Sequence, residues 1–261
     1  MTNPVTSPAN RRVKLAAALH SSRDCLKHGA FLVEGPRFLD ASGGLRPLFI
    51  MLSLNATPEA RNAAEAAARI GCDVMELDPG VFAKVSSTPA PQGIAAVFPL
   101  PAWSSGDVFR GGTVVALDGV SDPGNAGTVI RSARAFNCSG AVFLPGCAFP
   151  WNPKTTRAAA GHNISLPIIT ANFIQPLIEE HPEYLFVAAE TGGVPINEFR
   201  PRSPVCVVVG AEAHGLCDET RQCVSEFVSI PMAEGVDSLN AGVCASIILH
   251  HLNGNCTGLG E

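Results

Sequence analysis

The chain has 261 residues, of which 46% are hydrophobic and only 16% charged. That is enough apolar material for a sizeable core; it excludes global disorder and allows two compact domains or one large α/β domain. The net charge of −5 is unevenly spread, because residues 1–110 carry a net +2 and residues 111–261 a net −7. Nine cysteines, odd in number and without a C-x-x-C pair, exclude a zinc ribbon or dithiol motif and read as reduced, mostly buried thiols.

The start of the chain is polar and has no apolar h-region, so no secretory signal is expected and the protein is placed in the cytoplasm. The sequons at Asn55, Asn163 and Asn255 then carry no weight. Arg11, Arg12, Lys14, Arg23 and Lys27 are opposed in their stretch only by Asp24. Such a surplus suits contact with a polyanion backbone, with an ordinary solvated basic terminus as the alternative. Short apolar runs at residues 31–34, 48–54, 73–77 and 93–98 predict strands. The alanine-rich stretch 58–70 predicts a helix, with Pro58 at its start and Gly71 after its end. Together they predict a small α/β module over residues 1–98.

Residues 99–112 are rich in Pro, Gly and Ser and read as a linker to a second domain, 113–261. Strands are expected there at 113–117, 140–144, 164–169, 185–189, 205–209 and 228–231, with helices between several of them. Unbroken apolar runs such as Val205–Val209 suit strands buried on both faces of a parallel sheet. The uncharged stretch 238–260 contains Asn240, His250, His251, Asn253 and four glycines and is no membrane span.

Three segments of the second domain carry chemistry. In Leu117–Phe136 an apolar strand passes through a turn rich in Gly, Pro and Asp into a helix, an arrangement that aims backbone N–H groups at an anion. Asn125 stands in that turn, as a ligand contact or as a helix cap, and Arg131 stands on the early helix. Val209–Leu216 nearly matches a P-loop but has Leu216 and Cys217 where Lys and Ser/Thr are needed, which speaks against ATP hydrolysis. Glu212, between glycines at a strand end, reads either as a ligand-facing carboxylate or as the cap of the next helix. In Ile230–Leu249 a loop leads into a helix capped by Asp237 or Ser238, whose small residues Ala241, Gly242, Ala245 and Ser246 admit a cofactor or another helix.

Taken together these segments resemble the SpoU/TrmH RNA 2′-O-ribose methyltransferases of the SPOUT superfamily. The resemblance is carried by Asn125-Ala-Gly127 with Arg131, by Gly210-x-Glu212-x-x-Gly215-Leu216, and by Ile230-Pro-Met232 followed by Ser238-Leu-Asn240. Asn152-Pro-Lys-Thr-Thr-Arg157 resembles the family's N-P-K-x-x-R segment. Phe31–Arg37 and Pro91–Ile94 look like its small ribosomal-protein-like substrate-binding module.

The resemblance implies an α/β trefoil-knot domain with a parallel sheet, preceded by that RNA-binding module, in a homodimer without metal or membrane. It implies methyl transfer from S-adenosylmethionine to a ribose 2′-hydroxyl, in rRNA ahead of tRNA. Arg131, Asn125, Glu212, Ser238 and Asn240 are then the catalytic set, with Asn125 and Glu212 orienting Arg131 or the ribose. Gly210, Ala211, Gly215, Ile230, Met232 and Leu239 hold the cofactor, and Arg11, Arg12, Arg37 and Arg157 hold RNA. Ala211 stands where many relatives carry a polar residue, which leaves cofactor recognition there to the backbone. The alternatives are a knotted base methyltransferase, or an RNA-binding assembly protein without catalysis.

Overall fold

The structure, a computed structural model, describes residues 3–253, and of Leu39 and Asp40 the backbone alone. Asn255 and Cys256 lie outside the described residues. Two compact units are present: Met1–Ala102 with Trp151–Ser165, and Trp103–Pro150 with Leu166–Glu261.

The first unit begins with α1 (Arg11–Ala18), α2 (Ser22–His28), β1 (Ala30–Glu34), α3 (Phe38–Ala41) and β2 (Phe49–Ser53). It continues with α4 (Pro58–Arg69), β3 (Val74–Leu77), α5 (Pro79–Phe82) and β4 (Ile94–Pro99). The strands stand in the order β1-β4-β2-β3, with β4 antiparallel to both neighbours and β2 parallel to β3. The start of α4 follows from its sequence: the Thr57 hydroxyl accepts from the Ala60 N–H, and Pro58, which has no N–H to orphan, occupies the first turn. Gly71, at φ +84°, lets the chain turn away where a side chain would be strained. Phe31, Phe38 and Phe98 form the aromatic centre of this core, with Phe98 5.9 Å from each of the others between ring centroids.

The second unit opens with α6 (Ser105–Val108), β5 (Val114–Asp118), α7 (Pro123–Ala135) and β6 (Gly140–Phe143). The stretch that follows, with α8 (Pro153–Ala158) and a 3-10 turn at His162–Ile164, belongs to the first unit. The second unit then resumes with β7 (Ile168–Thr170), α9 (Gln175–Glu180), β8 (Leu185–Pro195) and β9 (Val205–Gly210), and closes with α10 (Asp218–Cys223), β10 (Glu226–Ser229) and α11 (Ala241–Asn253). Its six strands are all parallel, in the order β10-β8-β9-β5-β6-β7. The apolar runs of β5 and β9 lie at the centre, which is why they carry no polar alternation. Leu117 pairs with Val209 and Asp118 with Gly210, so the turns that follow β5 and β9 leave the sheet side by side. In open parallel sheets that is where ligands bind.

Several local expectations are corrected. The strand expected at 164–169 begins only at Ile168: Gly161, at φ +81°, starts a 3-10 turn, and the Asn163 side chain is tied to Thr156 Oγ1 at 2.9 Å. The strand expected to stop at Ala189 runs on to Pro195, and its pairing with β10 jumps from Ala188 to Val194 across an irregularity. The polar Glu190 and Thr191 end the apolar run without ending the extended backbone. β10 lies two residues earlier than expected, at Glu226–Ser229. The last helix begins at Ala241, capped by Asn240, whose Oδ1 accepts from the N–H groups of Gly242 and Val243. Two of the small residues of α11 serve a neighbouring helix, since a Cβ at Gly242 would stand 3.1 Å from Thr128 of α7 and Ser246 is bonded to Ser132 at 2.6 Å, whereas Ala241 lines a cavity.

The thiols are less buried than expected. All eight cysteines among the described residues are free, but only Cys25, Cys138 and Cys206 are buried, and Cys217 is exposed because its Sγ serves as the cap of α10. Burial pushes the Cys25 thiol up to about 11 and Cys138 up to about 12.

Candidate functional site

The turn after β9 explains its glycine spacing. Ala211 and Gly215 exchange two backbone hydrogen bonds, of 2.9 and 2.8 Å, closing a tight ring. A Cβ on Gly210 would come within 2.3 Å of the Gly215 carbonyl carbon, and Gly215 itself sits at φ +67°. Neither position tolerates a side chain without moving the ring. The ring presents Glu212 to solvent. Behind it, the buried Asp118 at the end of β5 accepts from the Cys217 N–H at 2.9 Å and ties the two turns together.

Glu212 is the centre of a polar cluster drawn from all three motifs. Its Oε1 accepts from Asn125 Nδ2 at 2.7 Å, from Asn240 Nδ2, and from the Ala241 N–H at 3.2 Å. Asn240 Nδ2 also donates to Asn125 Oδ1 at 2.9 Å, closing the set. Two alternatives left open by the sequence are thereby decided. Asp122, not Asn125, caps α7, and Cys217, not Glu212, caps α10. Both site side chains are released from capping their own helices and bond across the cluster instead.

A cavity of about 260 Å3 adjoins Glu212. Val209, Val228, Ile230, Met232, Leu239 and Ile248 give it apolar walls, while Thr191, Glu212, Asp237 and Ser238 add polar groups. Gly210, Ala211, Gly215, Ile230, Met232 and Leu239 all line it, so the structure brings together the residues expected to hold a cofactor. It adds Glu190, Thr191 and Cys244, which the sequence reading passed over. For the first two the missed signal was the continuation of β8 beyond its apolar run.

Arg131 is not part of the cluster. It is exposed, and it makes no hydrogen bond or ion pair among the described residues. Six residues beyond Asn125 on a helix, it lies about 120° away around the axis. The expectation that Asn125 and Glu212 orient it is therefore not met by any contact. The proposed RNA contacts lie in the first unit. Arg11 is exposed, whereas Arg12 is engaged, with Nη2 2.6 Å from Asp73 and its guanidinium over the Phe49 ring. Arg37 is exposed, and so is Arg157, which stands beside Glu34.

Comparison with known proteins bears on both units. Residues 112–250 match the model of the SpoU rRNA Methylase family, and residues 10–96 match that of the MRM3-like substrate binding domain. The chain is 29% identical over 252 residues to the 23S rRNA (guanosine(2553)-2′-O)-methyltransferase RlmP of Bacillus subtilis, covering 96% of this chain and 99% of that protein. An AdoMet-bound rRNA methyltransferase from Sinorhizobium meliloti superimposes with a TM-score of 0.84 at 27% identity, over 97% of this chain and 98% of that one. The SpoU methyltransferase AviRb from Streptomyces viridochromogenes shares the fold, with a TM-score of 0.84 at 24% identity over 94% of this chain and 98% of that one.

Proposed function

The chain belongs to the SpoU rRNA methylase family and is an S-adenosylmethionine-dependent RNA ribose 2′-O-methyltransferase; from that premise we propose that its substrate is rRNA and that it works as a cytoplasmic homodimer whose C-terminal segment threads a trefoil knot. The named relative's action on 23S rRNA supports the choice of rRNA. The observation that carries the site assignment is the Glu212 carboxylate joined to Asn125 and Asn240 at the edge of the cavity.

The residues fit the cofactor. Gly210, Ala211 and Gly215 bring backbone to the cavity wall, and the apolar walls and polar groups of the cavity suit a ligand that is part aromatic and part charged. Gly210, Ala211, Gly215, Ile230, Met232 and Leu239 would hold it. S-adenosylmethionine supplies an activated methyl group for in-line attack by the ribose 2′-hydroxyl.

The chain's own residues must fix the ribose, stabilise developing charge and let the hydroxyl proton leave. Asn125, Glu212 and Asn240 position one another, and Ser238 completes the polar edge. A guanidinium is a hydrogen-bond donor and a poor base, so Arg131 does not take the hydroxyl proton. With its side chain exposed and off the Glu212 cluster, it acts instead as a planar donor for a substrate phosphate, and the hydroxyl proton passes to phosphate or water. Arg11, Arg12, Arg37 and Arg157 take the RNA backbone. Among the described residues no group of three or more His, Cys, Asp or Glu is placed to hold a metal, and no helix is long and apolar enough to cross a membrane.

Mass spectrometry of nucleosides from rRNA and tRNA, in a deletion strain against wild type, tests the reading. One 2′-O-methyl nucleoside lost from rRNA is expected. Loss of a base-methylated nucleoside, or loss from tRNA only, would overturn it.

A further inference from the structure

At the end of β1 the first unit holds a carboxylate with an unusual number of donors. Glu34 accepts from Ser86 Oγ at 2.5 Å, from the Ser87 N–H at 3.0 Å and Oγ at 2.7 Å, and from Thr88 Oγ1 at 3.3 Å. Arg157 of α8 reaches the same place, with Nη1 3.6 Å from Glu34 and bonded to Ser87 Oγ. The Glu34 side chain is only 7% exposed, so its charge is spent inside the cluster and does not face solvent.

Two cavities of about 350 and 240 Å3 open beside this cluster, and Glu34, Arg157 and Gln92 line both. Arg37 lines the larger, and its guanidinium has no hydrogen-bond or ion-pair partner among the described residues. Among the described residues Glu34 is the sole acidic residue on either wall, and against two guanidinium groups it leaves the space with a surplus of one positive charge. The contacts of Arg157 engage Nη1, and its fork carries five N–H donors. Gln92 can donate and accept, with Oε1 beside Gly35, where φ of +101° keeps a side chain out. Phe38 and Pro91 contribute apolar wall. A planar, polar-edged group on an anionic backbone matches this set, and an isolated anion would leave Gln92 and the apolar wall unused.

We propose that this cleft is a nucleotide subsite for the RNA substrate: Arg37 and Arg157 hold a backbone phosphate, Gln92 meets a base edge, and Glu34 is the positioning residue that fixes Arg157. It rests on the reading that the first unit docks RNA, and it adds where and through which chemistry. The segment carrying Arg157 lies inside the span that matches the methylase family model, yet it completes a site in the first unit. RNA recognition is thus built from two separate stretches of the chain.

The test uses the full chain and a labelled mixed-sequence single-stranded RNA 20-mer, with anisotropy read over a series of salt concentrations. Each phosphate contact to a single strand contributes about 0.7 to the slope of log affinity against log salt. The Arg37→Ala/Arg157→Ala variant should bind at least about tenfold more weakly at low salt, with a slope shallower by about 0.7. Its S-adenosylmethionine affinity by calorimetry should be unchanged. Arg157→Lys should restore much of the slope but not the affinity, because it lacks the planar fork. Glu34→Gln should weaken RNA binding in the wild-type background and add nothing in Arg157→Ala. An additive loss would mean that Glu34 is only structural and would remove its positioning role. If the double variant binds like wild type while Arg11→Ala/Arg12→Ala/Lys14→Ala flattens the slope, the cleft is wrong and RNA docking by the first unit stands. If neither set changes the slope, both fail.

Discussion

Each unit organises a site around one carboxylate, and the two are solvated in opposite ways. Glu34 in the first unit is buried and held mainly by hydroxyls and one arginine. Glu212 in the second unit is exposed and held by two asparagine amides and a backbone N–H. Burial works against the charge of Glu34, but the hydrogen bonds from Ser86 and Ser87 and the nearby Arg157 outweigh it, so its carboxyl sits below the ordinary range. A buried, satisfied carboxylate orders its surroundings and costs stability when removed. An exposed one held by groups that also adjoin a cavity leaves its surroundings open to ligands, and its loss should be felt in chemistry.

The largest effect should therefore come from Glu212. In Glu212→Ala the oxygen that accepts from the Asn125 and Asn240 amides and the Ala241 N–H is lost, and the cluster comes apart. Single-turnover methylation should fall on the order of a hundredfold, the usual cost of disturbing a group that orders the transition state. The melting temperature should move little. A variant that methylates normally but unfolds early would exchange the roles assigned to the two carboxylates.

The contrast also marks how much of the molecule its sequence reveals. Gly210-x-Glu212-x-x-Gly215 is legible because the five-residue ring Ala211–Gly215, closed by two backbone bonds, demands glycine at its last position and just before its first. Val205–Val209 is legible because a strand covered on both faces needs no alternation. The cluster around Glu34 is not, since its donors lie more than fifty residues away and no local pattern links β1 to Ser86–Thr88 or to α8. Nor is the placement of 151–165 in the first unit, because a short capped helix looks the same whichever core it covers. Ile164 reads as strand by composition, and the Asn163–Thr156 bond and Gly161 override it. Arg131 shows the remaining limit: sequence places it near Asn125 along the chain, but helical geometry turns it to another face.

A smaller effect, on stability, should come from Glu34. Glu34→Ala strands the Ser86, Ser87 and Thr88 donors and part of Arg157, at a cost of about 1–3 kcal/mol. In a Trp103→Phe background, Trp151 reports on the first unit alone, and urea unfolding read by its fluorescence measures the loss. The pH dependence has a fixed sign. Because the folded carboxyl titrates below its unfolded value, the stabilisation is complete above the ordinary carboxylate range and is lost as pH falls through the folded value. The gap between wild type and Glu34→Gln should thus be flat at neutral pH and shrink only below about pH 4. A gap that persists unchanged to pH 2 would mean that the carboxylate's charge contributes nothing.

The smallest effect separates the units without touching either carboxylate. Cys217 is exposed, Cys72 in the first unit is half-buried, and Cys244 is half-buried on the cavity wall, where burial raises its thiol. Thiolate, not thiol, reacts with iodoacetamide, so Cys217 should be alkylated well before Cys244. Cys25 and Cys138, with thiols pushed up to about 11 and 12, should wait for unfolding. Saturating S-adenosylhomocysteine should slow alkylation of Cys244 several-fold and leave Cys72 unchanged, because only the former lines the cavity. Peptide mass spectrometry over a time course reads all five rates at once. Equal protection of Cys72 and Cys244 would point to a general tightening of the fold. Protection confined to Cys244 places the cofactor against α11, and with it the division between a unit that holds the methyl donor and one that holds RNA.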